Sequence, residues 1–295
     1  MIGRHPETFD DGVEALVKLM SDGTYVTRFN YPFCIETAFG FAALKIIPLE
    51  TSFQILDLMA SSVNWLIQWH KSGYSDPGSN NSSSSSISWT DEGQKVVPMN
   101  QGNLAANLFL KLAEALRKTS LVRREEIRNQ AVHALGQCFA ATEELEFTPA
   151  NCLACFNLVI FAMVDDLHEK MLEYSRRENS VKEMRSMEVT LREAMELLVE
   201  VYLQFMVPLS QSSGFRTFWL GVLRRMDTCM KANMDDVGTG ALQEAVPEML
   251  KRMLVQMKEK EILVQREGDE LWDITNIQIQ WIAPSVKEEL FPDEF

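Results

Sequence analysis

The 295 residues, 46% of them hydrophobic, are enough for one or two compact domains or a single elongated repeat array. Lys and Arg number 28 against 42 Asp and Glu, a formal net charge of −14, which argues against nucleic acid and against adhesion to anionic lipid through a basic cluster. No uninterrupted apolar run reaches the ~18–20 residues of a membrane span, and the start MIGRHPETFDDG lacks the apolar core of a secretory signal. In chain order, Asp10 or Asp11 is expected to cap a short helix carrying Val13, Leu16, Val17 and Met20, which Gly23 stops. A second helix is predicted over 33–47, ending before Pro48. A third carries Phe53, Leu56, Leu58, Val63, Leu66, Ile67 and Trp69, and closes at Gly73.

From there to about Gly93 the composition changes to SGYSDPGSNNSSSSSISWTDEG, which has little to bury and is expected to be a mobile spacer. The chain therefore divides into amino-terminal helices (1–72), a Ser/Gly-rich loop (73–102) and carboxy-terminal helices (103–295). Leu104, Leu108, Leu112 and Leu116 open the second helical part at a spacing of four. A helix with Ile127, Ala131, Leu135 and Cys138 on one face follows, and further helices are predicted over 149–173, 181–207, 215–232, 241–265 and 269–282. Leu242, Val246, Leu250, Met253, Leu254 and Met257 make one apolar stripe, with Pro247 tolerated if the helix begins near Glu244. No segment alternates with a period of two, so no sheet is inferred. An antiparallel helix pair cannot bury its apolar face alone, so about ten helices with short connections imply an all-α stack, an α-solenoid of HEAT- or armadillo-like type with a degenerate repeat.

Several constellations invite chemistry. Cys152 and Cys155 form one C-x-x-C, but a structural zinc site needs four ligands and a redox motif needs a βαβ setting. Buried thiols on a helix fit the pattern better, and five cysteines, odd in number and unevenly spaced, fit reduced thiols. In the run Asp165-Asp166-Leu167-His168-Glu169, Asp165 shares a helix face with His168 or with Glu169 and could bind a metal, although a di-metal bundle needs matching sets on other helices. His133 has only Gln130 and Gln137 one turn away, and none of the four histidines, His5 and His70 included, lies near a nucleophile signature. Met226, Met230 and Met234, and then Met249, Met253 and Met257, form two thioether stripes that suit an adaptable partner groove or simply two helices packing together. Trp65 and Trp69 read as core rather than an aromatic cage. Arg117, Lys118, Arg123 and Arg124 could meet an acidic partner or a phosphoinositide, yet a helix-end cluster balanced by Glu125 and Glu126 accounts for them. No catalytic, cofactor-binding or metal-ligating residue is assigned, and no cofactor.

The end of the chain carries a more specific signal. VPEMLKRMLVQMKEKEILVQ, ELWDIT, IAPSV and ELFPDEF closely resemble the carboxy-terminal end of GNOM-like ARF guanine-nucleotide exchange factors, plant members of the Golgi brefeldin-A-resistant exchange-factor family. FWLGVLRRMDTCMK, VIFAMVDDLHEKM, LAEALRKTSLVRREEIRNQAVHALGQC, EALVKLMSDGTYV and ILDLMASSVNWLIQW resemble the same family, in family order. The family opens ARF-type GTPases with a Sec-seven domain, whose invasive glutamate competes for magnesium and repels phosphate. No stretch here resembles that motif. The resemblance falls on the helical regions downstream of the Sec-seven domain. It implies a non-enzymatic regulatory scaffold, a fragment or a natural short product, acting in Golgi and endosomal vesicle transport. The implied partners are proteins of the membrane-traffic machinery and, indirectly, ARF-family GTPases. Peripheral association with those membranes from the cytoplasm follows, with no nucleic acid and no small-molecule substrate. The alternative is a stand-alone α-solenoid adaptor unconnected with GTPases.

Overall fold

A computed structural model describes residues 6–73, 104–232, 239–266 and 268–291. The serine-rich spacer lies outside the described residues, apart from its first residue Gly73, and so do Met234 and the acidic end 292–295. Among the described residues there are α-helices and no strand. They are α1 (Pro6–Asp22), α2 (Tyr31–Ala42), α3 (Leu49–Ser61), α4 (Val63–Lys71), α5 (Leu104–Thr119) and α6 (Glu125–Ala140). Next come α7 (Pro149–Cys155), α8 (Phe161–Ser175), α9 (Val181–Ser210), α10 (Phe215–Lys231), α11 (Ala241–Glu259), α12 (Glu270–Ile282) and α13 (Pro284–Leu290).

The helices stack in pairs. α2 packs on α3, α5 on α6, α8 on α9, α10 on α11 and α12 on α13. Short links run from α2 to α3, from α5 to α6 and from α8 to α9, which makes these pairs antiparallel. Two ladders then run through the stack. One goes from α2 to α5, to the α7–α8 run, to α10 and to α12, and the other goes α3, α6, α9, α11, α13. α1 covers α2 and α3, while α4 lies on α5. The buried apolar side chains form one continuous core, from Val13 in α1 to Phe291 after α13. Fully burying each Leu, Ile, Met or Phe contributes about 1.5–3 kcal/mol.

Polar side chains fasten successive pairs. Arg124 donates to Ile47 O at 3.0 Å and to Ser52 Oγ at 3.0 Å, joining the second pair to the first. Arg128 is 1% exposed and meets Thr190 Oγ1 at 3.2 Å and Ser186 Oγ on α9, so it ties α6 to α9. Gln204 on α9 donates to Phe139 O at 2.9 Å, closing the far end of that joint. Trp219 donates its indole N–H to Thr275 Oγ1 at 2.9 Å, between α10 and α12. Lys258 donates to Leu290 O at 2.6 Å and lies over the Phe291 ring, fixing α13 against α11.

Several boundaries differ from the sequence reading, each for a local reason. α1 begins at Pro6, so Asp10 and Asp11 lie inside it and do not cap it. Its stop at Gly23 holds, at φ +71. α2 starts at Tyr31 and ends at Ala42, earlier at both ends than predicted. The single helix predicted across 53–69 is two, α3 and α4, broken at Ser62, whose hydroxyl bonds Met59 O at 2.6 Å and Tyr31 Oη at 2.8 Å. α9 runs on through Pro208 to Ser210. α11 starts at Ala241, as the range 241–265 predicted, and not near Glu244, so Pro247 lies deeper inside it than the first turn. It ends at Glu259, not at Gln265, because Glu261 adopts φ +55 and the amides of Glu261 and Ile262 turn back to Lys258 O and Met257 O.

The run Pro149–Ser175 is also more than the predicted helix. By length and composition its 27 residues suffice to cross a membrane, which a count of uninterrupted apolar residues did not register. Cys152, Phe156, Val159, Ile160, Met163 and Leu167 are buried in the stack, against α5 and α9. A π-helical turn, Phe156–Ile160, interrupts it, and Phe161 N–H reaches back to Phe156 O.

Candidate functional site

The structure distributes the chemically suggestive residues among joints of the stack. Asp165 pairs with Arg225 of α10, and Asp166 pairs with Arg117 of α5, so the two carboxylates face different neighbours. His168 is half-buried, and desolvation lowers its pKa while Asp165 opposes the shift. Cys152 and Cys155 are buried free thiols, Cys152 pushed up by burial to about 11 and Cys155 further still. Among the described residues, no three His, Cys, Asp or Glu side chains gather as metal ligands. His133 meets Gln137 Nε2 at 3.1 Å on the surface of α6.

The methionine stripes are packing. Met226 of α10 and Met249, Met253 and Met257 of α11 are all buried, and Met230 lies against the same core. Trp65 and Trp69 pack edge-on against the buried Tyr31, at 6.4 and 5.7 Å between ring centres, as core aromatics do. The arginine group is likewise divided. Arg117 meets Asp166, and Arg124 meets the loop before α3.

A concave surface lies beside these joints, and no constellation read from the sequence pointed to it. A groove of about 660 Å³ runs between the α7–α8 run and α10. One wall is formed by Leu153, Asn157 and Phe161, four residues apart along the π turn, and the other by Thr217, Gly221 and Arg224. Phe161 and Phe218 stack at 5.5 Å and make the floor. Arg225, 9% exposed, lies over the Phe161 ring at 3.9 Å and donates to Gly221 O at 2.9 Å. Its Nη2 is committed to Asp165, while its buried Nε has no hydrogen-bond partner among the described residues. The volume falls in the range of about 300–1,000 Å³ usual for binding clefts, and the lining is mostly apolar with a few placed polar groups. π turns inside α-helices recur at functional sites. The sequence did hold one sign, a glycine inside the helix next to an arginine pair, in FWLGVLRRM.

Stacked helix pairs and the ion pairs that hold them together define a helical-repeat scaffold. Residues 109–286 match the family model described as the GBF1-like, tetratrico peptide repeat region, and the chain belongs to that family. The description names the repeat as tetratrico peptide, within the α-solenoid class expected, where a HEAT- or armadillo-like type had been inferred. The chain is similar to the ARF guanine-nucleotide exchange factor GNL2 of Arabidopsis thaliana, 52% identical over all of this chain and 22% of that protein. It is 37% identical to the ARF guanine-nucleotide exchange factor GNOM and 30% identical to GNL1, both of the same plant, over 99% of this chain and 19% of each. The chain thus spans about a fifth of the length of these relatives. The resemblance carried by its carboxy-terminal wording is confirmed by these matches. No solved structure matches it.

Proposed function

We propose that this chain is a regulatory helical scaffold of an ARF guanine-nucleotide exchange factor, working through contacts and not by catalysing exchange itself. The observation that carries the reading is the end-to-end similarity to three ARF exchange factors over a chain folded as stacked helices. Its prominent charged groups support the same view. Asp165, Asp166, Arg117, Arg124 and Arg225 are engaged in joints between helices, leaving them a structural task. The partners in this reading are proteins of vesicle traffic at Golgi and endosomal membranes and, indirectly, ARF-family GTPases. The chain approaches those membranes from the cytoplasm as a peripheral component.

The test is release of a fluorescent guanine nucleotide from an ARF GTPase. The chain alone leaves release at background, and added in trans to a Sec-seven exchange domain it changes the rate at least twofold. Concentration-dependent release by the chain alone overturns the non-catalytic assignment. An unchanged rate in trans overturns the regulatory one and favours an adaptor unconnected with GTPases.

A further inference from the structure

We propose that the groove between the α7–α8 run and α10 is the docking site of an acidic amphipathic helix from a partner protein. Its length sets the size of the occupant. From Leu153 to Phe161 the wall rises by eight residues, about 12 Å, which matches two to three helical turns. The chemistry of the lining sets the character of the occupant. Phe161, Phe218 and the half-buried Leu153 offer an apolar floor to side chains three or four residues apart on a visiting helix.

Charge decides the sign. The chain carries 42 acidic residues and a net charge of −14, yet no carboxylate lines this groove, and two arginines do. Arg225 is occupied by Asp165 and Gly221 O. Arg224, exposed at the edge of the groove, pairs with no carboxylate among the described residues. A visiting carboxylate is therefore the group this edge accepts, and a basic helix would leave Arg224 facing a like charge. Gly221 keeps the cleft open. Glycine inside a helix costs about 1 kcal/mol against alanine. A Cβ placed there would already lie 3.5 Å from both Phe161 Cε2 and Arg225 Nη1, so any larger side chain enters the groove.

The experiment is a selection from a random 16-residue phage-displayed library on the full chain, followed by fluorescence polarisation of the enriched peptides. The expected peptides carry bulky apolar residues three or four apart with Asp or Glu beside them. Their affinity falls about tenfold on Arg224→Glu and is lost on Gly221→Leu. Arg224 is exposed, so its variant keeps the fold and carries the test if the leucine variant does not. Enrichment of basic peptides, no enrichment, or affinities indifferent to Arg224→Glu overturns the proposal. So does anionic-vesicle binding that the peptides compete away, which gives the groove to a membrane. Self-association abolished by Gly221→Leu gives it to a second copy and overturns the proposal as well. The binding is read without any GTPase, so its failure leaves the scaffold reading to be judged on exchange alone.

Discussion

Replacing Arg128 with methionine isolates the worth of a single joint in the stack. Methionine keeps most of the stem that packs between α6 and α9 but removes a guanidinium that makes four hydrogen bonds, to Val122 O at 3.1 Å, Arg123 O at 2.8 Å, Thr190 Oγ1 at 3.2 Å and Ser186 Oγ. The two hydroxyls are cheaply rescued, since Thr190 already donates to Asn129 Oδ1 at 2.7 Å and Ser186 can rotate. The two carbonyls of the α5–α6 turn are not. Each part-buried acceptor that loses its donor costs about 1–3 kcal/mol, less for the carbonyl of the exposed Arg123, and relief from burying a charge returns part of that. Desolvation by burial holds the Arg128 pKa below its ordinary value, against the opposing pull of Glu125. The net loss is about 2–4 kcal/mol, with Arg128→Lys losing about half, since one ammonium cannot span turn and helix. Urea unfolding followed by circular dichroism measures it, as a lowered midpoint at unchanged slope. Hydrogen exchange reports faster opening of the amides around Val122. A loss below about 1 kcal/mol, or a gain, refutes the reasoning, because it would mean that the guanidinium is no better satisfied than the atoms it leaves behind.

Three further outcomes follow from single positions. Glu261 holds a left-handed conformation at φ +55 where helix ends favour glycine, so Glu261→Gly raises stability by about 0.5–1 kcal/mol in the same urea assay, and a lowered midpoint counts against the cap. Gly23 has φ +71, and a Cβ there would stand 2.8 Å from Trp65 Cζ2. Gly23→Ala is therefore expected to cost about 1–3 kcal/mol, seen as a lower melting temperature, whereas an unchanged one would show that Trp65 moves freely. Burial pushes the Cys138 and Cys229 thiols up to about 12 and Cys152 to about 11, so at pH 8 these thiols stay protonated. A thiol-reactive chromophore should label them slowly in buffer and fully in guanidinium, and fast labelling of the folded chain would contradict their burial.

Helix identity was legible because the apolar spacing is strong. Leu108, Leu112 and Leu116 on α5, and Leu242 to Met257 on α11, are recovered as core faces. Stops were legible where a residue type signals them, as at Gly23 and Gly73, both at positive φ. They were hidden where tertiary structure does the work. Glu261 ends α11 with no glycine or proline to announce it, and Ser62 breaks α3 from α4 through a hydroxyl shared with Tyr31, thirty-one residues away. Pro208 points the other way. It sits in the last turn of α9, where the packing of Phe205, Met206 and Leu209 outweighs the lost amide. The groove, marked in the sequence by no more than Gly221 near the arginine pair, was hidden for a related reason. Phe161 and Arg224 lie on separate helices, and the π turn that carries Asn157 has no compositional mark. Family wording, by contrast, was carried by contiguous segments, and so it survived without any knowledge of the fold.

α9 is 30 residues long where α5 and α6 have 16 and α8 has 15, which makes it a rod of about 45 Å. Because it lies against α6, α7, α8 and α11 at once, it works as a beam bridging levels that would otherwise hinge independently. Flexing of the array is expected at its two ends, toward α1–α4 and α12–α13, and amide hydrogen exchange no faster there than along α9 would count against it. The groove lies beside this midsection, its α8 wall packed directly on α9.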